Sequence, residues 1–179
     1  SGLLSKQSSP NHTSRYRSTQ REFVLGENDD QLRVPLIWSD ESGTEVTKTF
    51  VLRRGSYELE VLHELRNGGS EAWSGSRYDQ LQRAIAEDRE SGGFTHPERY
   101  SFLGIGFYNP EDKFEKIKFD DVADENYRKT TANGWLAMIQ HYFFAAWIPP
   151  GEEQTQYSAR TLPAAPWPRH IAVGVSPVR

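Results

Sequence analysis

Trp135-Leu136-Ala137-Met138-Ile139-Gln140-His141-Tyr142-Phe143-Phe144-Ala145-Ala146-Trp147-Ile148 is the most apolar run in the chain, and its reading decides the fold. Taken two residues at a time, it divides into a side beginning at Trp135 and a side beginning at Leu136, and both are largely apolar. The run is therefore expected to be buried on two faces, as a central strand or a buried helix, which periodicity alone does not separate. Pro149-Pro150-Gly151 ends it in either case. It is too short, and too interrupted by Gln140 and His141, to make the ~20-residue apolar helix that spans a bilayer.

Upstream, the signals are those of strands. Leu32-Arg33-Val34-Pro35-Leu36-Ile37-Trp38 and Val46-Thr47-Lys48-Thr49-Phe50-Val51-Leu52-Arg53 flank Ser39-Asp40-Glu41-Ser42-Gly43, a hairpin loop by composition. Pro35 has no N–H to give a ladder, so the first of these strands belongs at an edge or a bulge. Phe23-Val24-Leu25 reads as a further short strand. Tyr57, Leu59, Val61, His63 and Leu65 alternate with mostly acidic residues, which predicts a core face and a wet face. Residues 72–86 fit helix or strand, and Tyr100–Tyr108 reads as an aromatic strand ended by Asn109-Pro110. Asp120 is placed to cap a short helix, and Ile171–Val175 is a last strand candidate. Residues 1–22 are Ser-rich and polar and predict loop, which leaves 23–179 as one domain, expected to be truncated at both ends.

Composition narrows the function. With 21 Lys and Arg against 25 Asp and Glu, the formal charge is −4, which provides no broad cationic surface for a phosphate backbone. The absence of cysteine removes disulfides and thiolate metal sites.

Several motifs resemble one family in order and near-register. Thr47-Lys48-Thr49-Phe50-Val51-Leu52-Arg53-Arg54-Gly55-Ser56-Tyr57 is similar to a segment of the periplasmic domain of the gammaproteobacterial membrane protein insertase YidC. So is Asp112-Lys113-Phe114-Glu115-Lys116-Ile117-Lys118-Phe119-Asp120-Asp121-Val122-Ala123-Asp124, followed by Gly134–Phe143 and Ala146-Trp147-Ile148-Pro149. With Leu32-Arg33-Val34-Pro35, the likeness covers roughly residues 23–150. The resemblance implies an all-β, twisted antiparallel supersandwich like that of aldose mutarotases, with Trp135–Ile148 as a central strand. It also implies a periplasmic location within an inner-membrane protein, an interaction or scaffold role without catalysis, and contact with accessory subunits of the Sec translocon (SecDF) and nascent membrane proteins.

Three site readings follow. Mutarotase kinship raises a carbohydrate-binding or epimerase-like alternative, which needs a carboxylate facing a histidine across a cleft. The histidines are His12, His63, His96, His141 and His170, and His63 and His141 sit on apolar faces where packing is the ordinary role. Asp120, Asp121, Asp124 and Glu125 lack the alternating spacing and central Gly of a calcium loop, so no metal or other cofactor is expected. Together with Tyr127 they form the candidate docking patch. The aromatics Trp135, Tyr142, Phe143, Phe144 and Trp147 are expected to fill the core, since exposing them would leave a sticky surface. An open apolar groove would instead favour a surface that holds apolar segments.

Overall fold

The computed structural model describes residues 1–84, 102–125, 127–140, 142–162 and 169–177. The chain divides into two compact units, Gly2–Gly75 and Ser76–Arg179. The architecture is all-β and sandwich-like, and every strand pairing with a defined register is antiparallel.

The first unit holds β1 (Gly2–Ser5), β2 (Gln31–Ser39), β3 (Thr44–Arg53) and β4 (Leu59–Asn67), the last three forming a sheet in the order β2-β3-β4. The β2–β3 hairpin closes as its composition predicts. The Asp40 carboxylate accepts from the Ser42 and Thr44 N–H groups, both at 3.0 Å, and from the Ser42 hydroxyl at 2.7 Å. These bonds, led by the Ser42 hydroxyl, lower its pKa. Gly43 takes a φ of +87°, where a side chain would be strained. Pro35 lies on β2, an outer strand of this sheet, as its missing donor requires. Val46 and Val51 on β3 are fully enclosed, while β4 begins at Leu59 and leaves Tyr57 and Leu59 exposed. Three expectations are corrected here. Tyr57 and Leu59 are not core. Phe23–Leu25 forms no strand, and Val24 is exposed. The polar N-terminus contains β1, whose Leu3 is buried and whose N–H donates to the Pro10 carbonyl at 2.8 Å.

The second unit holds β5 (Gly75–Ala84), β6 (Leu103–Asn109), β7 (Lys113–Lys118), β8 (Arg128–Thr131), β9 (Trp135–Gln140), β10 (Phe143–Trp147), β11 (Thr155–Leu162) and β12 (Arg169–Pro177). One sheet runs β5-β12-β11-β8 and the other β10-β9-β6-β7. Their shared core is Ile105, Phe107, Ile117, Leu136 and Met138 from one sheet against Tyr157, Ala159 and Ala172 from the other. Fully burying each large side chain contributes about 1.5–3 kcal/mol. Residues 72–86 resolve in favour of strand, as β5, within the described part. The Asn109 side chain makes the β6–β7 turn by accepting from the Glu111 and Asp112 N–H groups at 2.9 and 2.8 Å.

The deciding run is corrected in one respect: it is a hairpin, not one central strand. β9 and β10 pair with Phe143 opposite Gln140 and Trp147 opposite Leu136. A single strand of that length would exceed the usual five or six residues, and the polar pair Gln140-His141 marks the reversal, although His141 itself lies outside the described residues. Tyr142, Phe143 and Phe144 are consequently exposed, against the expectation that they fill the core.

Candidate functional site

The predicted docking residues divide between two environments. A 3-10 turn, Phe119–Asp121, leads into the short helix α1, Val122–Glu125. Phe119 and Val122 are buried in the core cluster and fix this turn, and Asp120 and Asp121 between them and Asp124 beyond them are all exposed. Asp120 sits within the 3-10 turn and is not its cap; Lys118 holds the N-cap position and makes no side-chain bond there. The side chain of Glu125 lies outside the described residues.

Tyr127 faces the opposite way. Its ring stacks on Phe107 at 3.8 Å and 17°, and its hydroxyl donates to Glu115 Oε2 at 3.0 Å. Burial first, and the Glu115 carboxylate second, raise its pKa and keep it protonated. Lys129 donates to Asp112 Oδ2 at 2.6 Å and Glu115 Oε2 at 2.8 Å. The pKa of Lys129 rises through Asp112 and then Glu115, and that of Asp112 falls through Lys129 and then Asn109. This cluster is a part-exposed ion network whose charges are paired with one another, whereas the three aspartates present carboxylates to water.

The histidines are dispersed. His12 is exposed, His63 pairs across the ladder with Lys48 in the first unit, and buried His170 packs on Phe119 at 4.9 Å and bonds Thr161 Oγ1 at 3.1 Å. His96 and His141 lie outside the described residues. Arg77 pairs with Asp79 at 3.0 Å and with Glu153 at 3.1 Å, joining β5 to the loop before β11. Tyr157 is pushed up to about 12 by burial. Among the described residues no group of three or more His, Asp or Glu is arranged to hold a metal ion. No helix among them is long and apolar enough to cross a membrane.

One surface went unrecognised in the sequence. On the side of the β10-β9-β6-β7 sheet away from the core, the registers align Phe144, Ile139, Gly104 and Lys118 in one row. The next row is Ala146, Ala137, Gly106 and Lys116. A third runs Trp135, Tyr108 and Phe114. Tyr108 stacks on Trp135 at 5.7 Å and Phe114 tilts against it at 5.5 Å. Phe144 is 74% exposed, Ile148 68%, and the shallow groove between them is lined by Trp135, Ala137, Ile139 and Ala146 without a polar side chain. The described residues of this sheet thus leave an apolar groove on the side away from the core. Glycines 104 and 106, alternating with core residues Ile105 and Phe107, were the available signal: a Cβ at Gly104 would stand 2.1 Å from the Ile117 carbonyl, and one at Gly106 would press on Phe114 and Ile139.

Comparison with known proteins agrees with the motif resemblance. The model of the YidC periplasmic domain family matches residues 1–177. "Membrane protein insertase YidC" of Alkalilimnicola ehrlichii is 41% identical over 152 residues, which cover 84% of this chain and 26% of that protein. The insertase of the same name from Methylococcus capsulatus is 41% identical over 155 residues, 86% of this chain and 28% of that protein. That of Thioalkalivibrio sulfidiphilus is 34% identical over 170 residues, 95% and 29%. The chain thus spans less than a third of the length of these relatives. A match over nearly its whole length, on an all-β sandwich-like fold, means that the chain belongs to the YidC periplasmic domain family and lies on the periplasmic side of a bacterial inner-membrane insertase.

Proposed function

We propose that this domain is a non-catalytic scaffold that assists membrane-protein insertion by docking accessory subunits of the Sec translocon (SecDF) through its acidic turn. The observation that carries the reading is the mounting of Asp120, Asp121 and Asp124: all three are exposed on a turn pinned by the buried Phe119 and Val122. Carboxylates held on a rigid support pay little ordering entropy on meeting a basic partner, and they steer its approach. Polar groups near the core are absorbed in structural bonds, Lys129 by Asp112 and Glu115 and Arg77 by Asp79 and Glu153, which supports a supporting body more than a reaction centre.

The test is charge reversal in the full-length parent. Asp121→Lys with Asp124→Lys leaves Phe119 and Val122 in place, so the fold is retained while the local charge changes sign. Capture of Sec accessory subunits from solubilised membranes should fall sharply, and unchanged capture by the folded variant would refute docking at this turn. Deleting residues 98–149 is a poorer test, because it removes β6 to β10 together with α1, and with them seven of the ten buried residues of the core cluster.

A further inference from the structure

We infer that the exposed face of the β11–β8 pair is a second docking surface, taking an acidic segment of the same partner that meets the acidic turn. The inference rests on the docking proposed above and names that partner's chemistry: basic and acidic groups side by side. Along β11, Thr155, Tyr157 and Ala159 are buried, so the alternate residues Gln156, Ser158 and Arg160 lie on the opposite face. Along β8, Lys129 is drawn to Asp112 and Glu115, which leaves Arg128 and Thr130 exposed on that opposite face. The register sets Arg128 across from Ser158 and Thr130 across from Gln156. Arg160, two residues beyond Ser158, is the diagonal neighbour of Arg128 at about 7–8 Å. In a chain with 25 Asp and Glu against 21 Lys and Arg, these positions hold two guanidinium groups, two hydroxyls and an amide, and no carboxylate. Among the described residues neither arginine is paired with an acid. Guanidinium groups placed in this way suit carboxylates, which they can grip with two parallel bonds. The neighbouring turn decides what kind of molecule brings those carboxylates. Asp124 precedes Arg128 by four residues, a span of at most about 14 Å, and the Ala159 N–H holds the carbonyl of the intervening Tyr127 at 3.2 Å. An anionic bilayer presents one sign of charge over the whole area, so it would repel the three aspartates while attracting the arginines. A protein segment carries both signs on neighbouring residues and meets both patches at once.

The experiment measures capture of Sec accessory subunits by the full-length parent, for Arg128→Glu with Arg160→Glu and for Arg128→Lys with Arg160→Lys. The Glu variant should lose about tenfold in capture at low salt, and the Lys variant, which keeps the charge, should retain most of it. Unchanged capture by the folded Glu variant, or an equal loss in the Lys variant, overturns the proposal. If the aspartate reversal lowers capture and the arginine reversal does not, docking at the acidic turn stands and the second surface falls; if the aspartate reversal has no effect, both fall. A readout that does not depend on the folding of a charge variant is Thr130→p-benzoylphenylalanine in the parent in its native membrane, with the adduct mapped by mass spectrometry after mixed heavy- and light-isotope expression. The expected adduct is to an Asp- or Glu-bearing peptide of a Sec accessory subunit. An adduct to phospholipid, to a second copy (seen as a mixed-isotope pair) or to the same polypeptide overturns the proposal, as does the absence of any adduct.

Discussion

Replacing Phe107 with alanine tests the physical claim that the two sheets of the second unit share one core. Phe107 is 1% exposed, belongs to the cluster with Leu136, Met138 and Tyr157, and stacks on Tyr127 at 3.8 Å. Removing a fully buried phenyl ring costs about 3–5 kcal/mol in lost transfer free energy and residual cavity. That is a large part of the ~5–15 kcal/mol that holds a domain together. Urea denaturation followed by tryptophan fluorescence should show the midpoint falling by about 2 M, given a slope of about 2 kcal/mol per molar urea. The stacking is isolated by a double-mutant cycle with Tyr127→Ala, with an expected coupling of about 1 kcal/mol. Tyr127→Phe, which keeps the stack and deletes only the bond to Glu115, should cost about 1 kcal/mol. A Phe107→Ala loss below about 1 kcal/mol, too small for a buried ring, or no coupling to Tyr127, would refute the shared core.

Two further outcomes follow from named contacts. Gly104→Ala puts a methyl 2.1 Å from the Ile117 carbonyl, a backbone atom fixed by the β6–β7 ladder, so thermal denaturation should register a loss of about 3 kcal/mol; an unchanged melting temperature would mean that the two strands are spaced differently. For the Lys129 network the sign follows from both partners. The Lys129 pKa is raised above 10.5, so its contribution is present at lower pH and lost as pH rises through the folded value. The Asp112 pKa is lowered below 3.8, so its contribution is present at higher pH and lost as pH falls through the folded value. The stability difference between wild type and Lys129→Met should therefore be flat between about pH 5 and 9 and close towards both extremes. A difference that grows towards either extreme would contradict the assignment.

Strand content was legible because short-range chemistry sets it. The Asp40–Gly43 loop, Pro35 and Asn109 each carry a local reason for the turn or edge they occupy, and each does what that reason demands. The deciding run was harder, because both alternating sides are apolar and a two-sided pattern looks the same in one strand or in a hairpin. Which aromatics face water depends on the pairing partner: Phe144 is exposed because β9 and β6 present Ile139 and Gly104 beside it on the face away from the core. No local pattern encodes that register. Of the candidate site, the acidic turn was readable from Asp120-Asp121 and Asp124, whereas the inward turn of Tyr127 depends on Phe107, distant in sequence and adjacent only through the sheet.

Docking through the acidic turn is tested most directly by measuring how much Sec accessory subunit co-purifies with the full-length parent as salt is raised, for wild type and for Asp121→Lys with Asp124→Lys. Exposed charges are screened over about 10 Å at 0.1 M salt and about 3 Å at 1 M. Capture by the wild type should therefore fall steeply over that range, while the reversed variant should start near the floor and show little salt dependence. Equal capture by both proteins at every salt concentration would contradict the assignment of this turn as the docking surface.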